Sequence, residues 1–143
     1  MTRSLLFTTA LLLTSAGVQA ADKTVANRDA TCHVSVPSDW VSDALPGMAH
    51  SPDKKLTIVV SSPRMIDSFA ELKQNARKVY SQSKVTKDSA SEFEMEGKSA
   101  AGKPDVYRAV PGTGGKFCIA DVTYQGGTAE DARKIIETLG PGK

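Results

Sequence analysis

The sequence predicts an α+β fold in which two helices pack on an antiparallel sheet. Two observations carry that prediction. Only residues 68–81 and 129–139 place apolar side chains at the 3.6-residue spacing of an amphipathic helix. The rest reads as short alternating strands punctuated by Gly, Pro, Ser and Asp, giving two to three strands, a helix, three or four strands and a helix. Strands that follow one another through hairpins pair antiparallel, which excludes a doubly wound parallel sheet.

Residues 1–20 read as a secretory leader. Arg3 supplies a positive start, Leu5 to Leu13 a short apolar run, and Val18-Gln19-Ala20 the small-x-small pattern that signal peptidase cuts. The run is shorter than the roughly 20 residues a spanning helix needs, and no other stretch approaches that length, so no transmembrane segment is expected. Cleavage after Ala20 predicts a periplasmic or secreted protein of 123 residues, enough for a single domain with its own core.

Residues 21–30 are polar and aperiodic and predict a flexible N-terminal arm ahead of a single α+β domain over 31–140. The first strand is Thr31 to Val36, with Cys32, Val34 and Val36 on one face. Pro37 ends it, and Trp40, the only tryptophan, is placed to cap the core. Met48 to His50 and Leu56 to Ser61 form a hairpin around Ser51-Pro52-Asp53-Lys54, with proline where a type I turn presets φ. The first helix carries Phe69, Leu72, Ala76, Val79 and Tyr80 on one stripe, and Ser68 with Glu71 makes a capping box. Val85 to Ser89, Glu92 to Met95 and Val106 to Val110 follow as strands, with Gly97, Gly102 and Pro104 as breaks. Lys116 to Tyr124 alternates most clearly. Phe117 and Ile119 point one way, while Cys118, Ala120, Val122 and Tyr124 point the other. The closing helix has Thr128 as N-cap supported by Asp131, a stripe of Ala132, Ile135, Ile136 and Leu139, and Gly140-Pro141 as its stop.

Four features together resemble the PsbP-like and DcrB-like superfamily. They are Val34-x-Val36-Pro37-x-x-Trp40, the Ser51-Pro52-Asp53 hairpin, the Ser68-Phe69-x-x-Leu72 helix start, and a closing helix after a strand that ends in Tyr124. The resemblance spans Cys32 to Leu139. It implies an α/β/α sandwich around an antiparallel sheet and a binding or accessory role with no transferable catalytic residues. Relatives in bacteria are often lipoproteins; Ala21 stands where their lipid-bearing cysteine would be.

Charge and chemistry narrow the function classes. With Arg3 removed, 17 basic residues face 16 acidic ones, without the basic stripe that nucleic acid demands. Cys32 and Cys118, an even pair in an exported chain, read as a disulfide, the alternative being two thiols in a reducing compartment. His33 and His50 are the only histidines; with Asp53 they would make a poor metal site, so no metal or cofactor is expected. Ser51 to Lys54 and Ser81 to Lys84 match Ser-x-x-Lys, without the partner motifs of serine acyl-enzymes. Gly112, Gly114 and Gly115 join two strands and so form a hairpin loop, not a phosphate cradle. Lys73, Arg77 and Lys84, with Lys78 beside them, fall on the helix side opposite its apolar stripe and mark a face for an envelope protein or anionic surface. The leading expectation is an exported, non-enzymatic binding or accessory protein of the bacterial cell envelope. A small hydrolase or metal-dependent enzyme using His33 or His50, and an inhibitor presenting the Pro111 to Lys116 loop, are the alternatives.

Overall fold

The computed structural model describes residues 22–142, so the leader and its cut after Ala20 lie outside the described residues. Ten strands and two helices follow in the order β1 (Lys23–Ala26), β2 (Cys32–Val36), β3 (Val41–Ser42), β4 (Met48–His50), β5 (Leu56–Ser61), α1 (Phe69–Val79), β6 (Lys84–Asp88), β7 (Phe93–Lys98), β8 (Pro104–Pro111), β9 (Phe117–Tyr124), α2 (Ala129–Ile136) and β10 (Gly140–Pro141). Seven strands form one antiparallel sheet in the order β3-β4-β5-β9-β8-β7-β6, and a small sheet has the order β1-β2-β10.

The two faces of β9 explain the layering. Phe117 and Ile119 join a core with Leu72 and Ala76 of α1 and with Phe93, Met95 and Tyr107 of the neighbouring strands. Cys118, Ala120 and Val122 join the other core, with Ala132, Ile135 and Ile136 of α2 and Val34 and Val36 of β2. The layers are therefore α1, the seven-stranded sheet, then α2 beside the small sheet. The α+β class holds, with the helices on opposite faces of one antiparallel sheet. Phe93 is fully buried, and a burial of that kind contributes about 1.5–3 kcal/mol. Cys32 of β2 and Cys118 of β9 are disulfide-bonded across 86 positions, linking the two sheets.

Local chemistry follows the sequence closely in places. The β4–β5 turn closes with Lys54 N–H donating to the Ser51 carbonyl at 2.9 Å. Ser68 Oγ caps α1 by accepting from Glu71 N–H at 3.1 Å, and the Glu71 carboxylate accepts from Asp67 N–H, one residue earlier than a capping box requires. At the sheet edge, β6 carries Lys84 and Lys87 and a register break between Val85 and Lys87, features that discourage edge-to-edge pairing.

Four expectations need correction. Residues 23–26 are not part of a free arm. They form β1, paired along β2 from Lys23↔Val36 to Ala26↔His33, with Val25 buried. Gly97 does not break the chain but lies inside β7, where a Cβ would stand 2.5 Å from Ser83 Cα. Thr128 occupies the N-cap position of α2 without capping it; its hydroxyl donates to the Gln125 carbonyl. The helix also ends earlier than expected, and Gly140-Pro141, beyond stopping it, pair with His33 and Cys32 of β2.

Candidate functional site

A cleft of about 650 Å³ opens where three elements meet: the Val36–Trp40 segment after β2, the β4–β5 turn and the exposed side of α2. Each wall is held by local hydrogen bonds. Trp40 N–H donates to the Pro37 carbonyl at 3.1 Å, and Lys23 Nζ donates to the Trp40 carbonyl at 3.1 Å. Ser51 Oγ donates to Asp53 Oδ1 at 2.7 Å and accepts from Leu56 N–H at 3.1 Å, which fixes the turn. Val36, Trp40, Leu56 and Ile135 give an apolar floor. Around it stand the carboxylates of Asp22, Asp39, Asp53 and Asp131, against one lysine, Lys134. The Ser51 hydroxyl, then the Lys55 backbone N–H, hold the Asp53 carboxyl below the usual range, so it stays ionised. Lys134 Nζ lies 3.4 Å from Glu130 Oε1, an exposed pair one helical turn apart. Sequence reasoning picked out Trp40 and the Ser51-Pro52-Asp53 turn separately and did not see that they wall one cleft.

The four cations expected to form a basic face, Lys73, Arg77, Lys78 and Lys84, are divided between α1 and β6. Lys73 Nζ and Arg77 each sit 2.6 Å from Asp88 at the end of β6. Lys73 also lies 4.8 Å above the Phe69 ring, and Arg77 4.8 Å above the Phe93 ring. Both cations are thus turned onto aromatic rings, Phe69 at the start of α1 and Phe93 of β7, as well as onto Asp88. Lys84 is on β6, not on the helix. Lys78 stays exposed on α1. Asp88 thus offsets one of the four charges named for an anionic surface.

His33 and His50 are in different sheets. His33 pairs with Ala26 and Gly140, while His50 Nδ1 is 3.1 Å from Asp43 Oδ1. Asp53, the third ligand considered, belongs to the turn. Among the described residues no three His, Cys, Asp or Glu side chains group to hold a metal ion. The glycines at 112, 114 and 115 form the β8–β9 loop, with Gly114 and Gly115 at positive φ. Its tip, Thr113–Lys116, is exposed.

On the opposite side of the sheet lies a cluster that sequence reasoning missed. Asp105 of β8 is fully buried, and among the described residues no donor reaches either carboxylate oxygen. Its diagonal neighbour on the same face is Asp121 of β9, whose Oδ2 accepts from the Tyr80 hydroxyl at the end of α1. Tyr80 in turn packs on Tyr107 with ring centroids 4.9 Å apart. Burial first, and then the adjacent Asp121, push Asp105 far above the ordinary carboxylate range. Burial and the Asp121 charge also raise both tyrosines, so their hydroxyls stay protonated. A narrower cleft of about 350 Å³ between α1 and β5 reaches Tyr80 and Asp121 past Val59, Ile66 and Leu72. The available signal was phase: Asp121 continues the face of Phe117 and Ile119, and Asp105 that of Tyr107 and Ala109.

No protein-family model matches the chain, and no curated protein matches it. Among solved structures, the fold is similar to the solution structure of cyanobacterial PsbP (CyanoP) from Synechocystis sp. PCC 6803. The TM-score is 0.51 at 11% sequence identity, covering 90% of this chain and 97% of that one. A likeness at that identity establishes the fold.

Proposed function

We propose, with the PsbP-like fold as premise, that the chain is an exported, non-enzymatic accessory protein that holds a partner in the Trp40 cleft. The observation that carries this reading is the cleft itself: about 650 Å³ with an apolar floor under a rim of charges, the form ligand sites usually take. The one serine hydroxyl on the turn wall, Ser51, is committed to Asp53 and to the Leu56 amide, which favours binding over nucleophilic chemistry. Export is supported by the Cys32–Cys118 bond, which suits an oxidising compartment, and by the leader pattern over 1–20. No helix among the described residues is long and apolar enough to cross a membrane.

The reading is tested by placing a photo-crosslinking amino acid at Asp39 on the cleft rim, or at Lys78 on the exposed side of α1, in living cells. A discrete adduct is expected from position 39 and none from position 78. Adducts from position 78 alone, or equally from both, would move the working surface elsewhere. The same cells test export, since the protein recovered from the envelope fraction is expected to begin at Ala21.

A further inference from the structure

The geometry points to a basic polypeptide segment, an apolar side chain flanked by separated lysines or arginines, as the occupant of the Trp40 cleft. This rests on the reading of that cleft as the working surface, and goes beyond it by naming what is held. The whole chain is nearly balanced, with 18 basic and 16 acidic residues. The cleft is not: four carboxylates against one lysine line it. The excess is therefore local and stands where a ligand would meet it.

The placement of the charges decides the class of ligand. Asp39 follows β2, Asp53 sits in the β4–β5 turn and Asp131 on α2, so they stand on three walls around Trp40, Leu56 and Ile135 rather than in one knot. All three are exposed. A simple polyamine would satisfy the rim and leave the apolar floor wet. A flat lipid surface would reach the rim without entering. A peptide that drops one apolar side chain onto the floor and sends cations to the walls satisfies both. Strand addition does not contribute at this point. The β2 backbone at Ser35 is already occupied, its N–H donating to Thr138 Oγ1 at 2.8 Å, so recognition runs through side chains.

The experiment probes the purified protein, residues 21–143, with an array of random ten-residue peptides, and follows the bound peptides in solution by Trp40 emission. Trp40 is the only tryptophan and lines the cleft, so its emission reports occupancy. Bound peptides are expected to be enriched at least about tenfold in Lys and Arg over Asp and Glu, and to shift Trp40 emission. The double variant Asp39→Asn with Asp131→Asn is expected to weaken capture by about tenfold or more, and raised salt to weaken it further. Both sites are exposed, and an unchanged melting curve confirms that the variant folds. Neutral or acidic peptides that shift Trp40 emission would overturn the charge assignment and leave the cleft as the binding surface. No captured peptide, or capture indifferent to the double variant with no Trp40 response, would overturn both.

Discussion

Replacing Asp105 with asparagine is expected to stabilise this protein by an amount that grows steadily as pH rises from 5 to 8. The carboxyl is fully buried, no donor among the described residues reaches either oxygen, and its protonated form can donate to Asp121 beside it. Burial, then Asp121, raise its folded-state pKa far above the usual range, whereas in the unfolded chain it titrates near 3.9. Between those values the folded protein holds a proton that the unfolded chain has released. Stability from this site is therefore fully present below about pH 4 and is lost as pH rises toward the folded pKa. A whole proton of difference gives about 1.4 kcal/mol per pH unit, so pH 5 to pH 8 spans at most about 4 kcal/mol. An asparagine amide is neutral throughout, offers its N–H to Asp121, and removes this slope. Starting at pH 5 keeps Asp53 and Asp88 ionised, since the Ser51 hydroxyl holds the first, and the Lys73 ammonium the second, below the usual range. Urea unfolding followed by Trp40 emission at pH 5, 6.5 and 8 gives the free energies. The difference between wild type and variant cancels the titrating groups that lie away from Asp105. A difference that stays constant across the three pH values, or a variant less stable at all of them, would refute the protonated-carboxyl account.

Three further outcomes are expected. Cys32→Ser with Cys118→Ser opens a loop of 86 positions and lowers unfolding free energy by up to about 4.6 kcal/mol on the chain-entropy model. Circular dichroism of the two-serine variant should keep the native spectrum at 20 °C, and a loss of stability too small to measure would sink the cross-link argument. Lys73→Glu with Arg77→Glu should lower the melting temperature, because the ring contacts to Phe69 and Phe93 alone are worth about 0.5–1 kcal/mol each; an unchanged melting curve would mean those cations are merely solvated. Gly97→Ala should cost about 1–3 kcal/mol, since its Cβ would meet Ser83 Cα at 2.5 Å and the Gln82 carbonyl at 2.6 Å, whereas Gly102→Ala meets nothing within 4 Å and serves as the positive-φ control.

What could be read from the sequence was what depends on neighbours a few residues away. The period-2 alternation of β9 sorted Phe117 and Ile119 from Cys118, Ala120 and Val122 as the two cores do. The stripe of α2 and the Ser51–Lys54 turn are equally local. β1 was illegible because its four residues bury only Val25 fully, and its partner is an edge of β2 defined elsewhere. Lys73 and Arg77 looked free because Asp88 is 15 and 11 positions away and comes alongside only when β6 docks beside α1. Asp105 and Asp121 were not singled out, because period-2 alternation assigns a polar strand residue to a solvent face. That rule assumes one wet face, and β8 and β9 are covered on both.

The small sheet is assembled from opposite ends of the described chain. His33 of β2 has Ala26 on one side and Gly140 on the other, and Gly142 N–H reaches the Thr31 carbonyl at 2.8 Å. A polypeptide halted before position 140 would present Cys32 and His33 along a bare strand edge, the kind that recruits other chains into pairing. Pairing of Gly140 and Pro141 hides that edge, so two residues far along the chain keep β2 from pairing with other molecules.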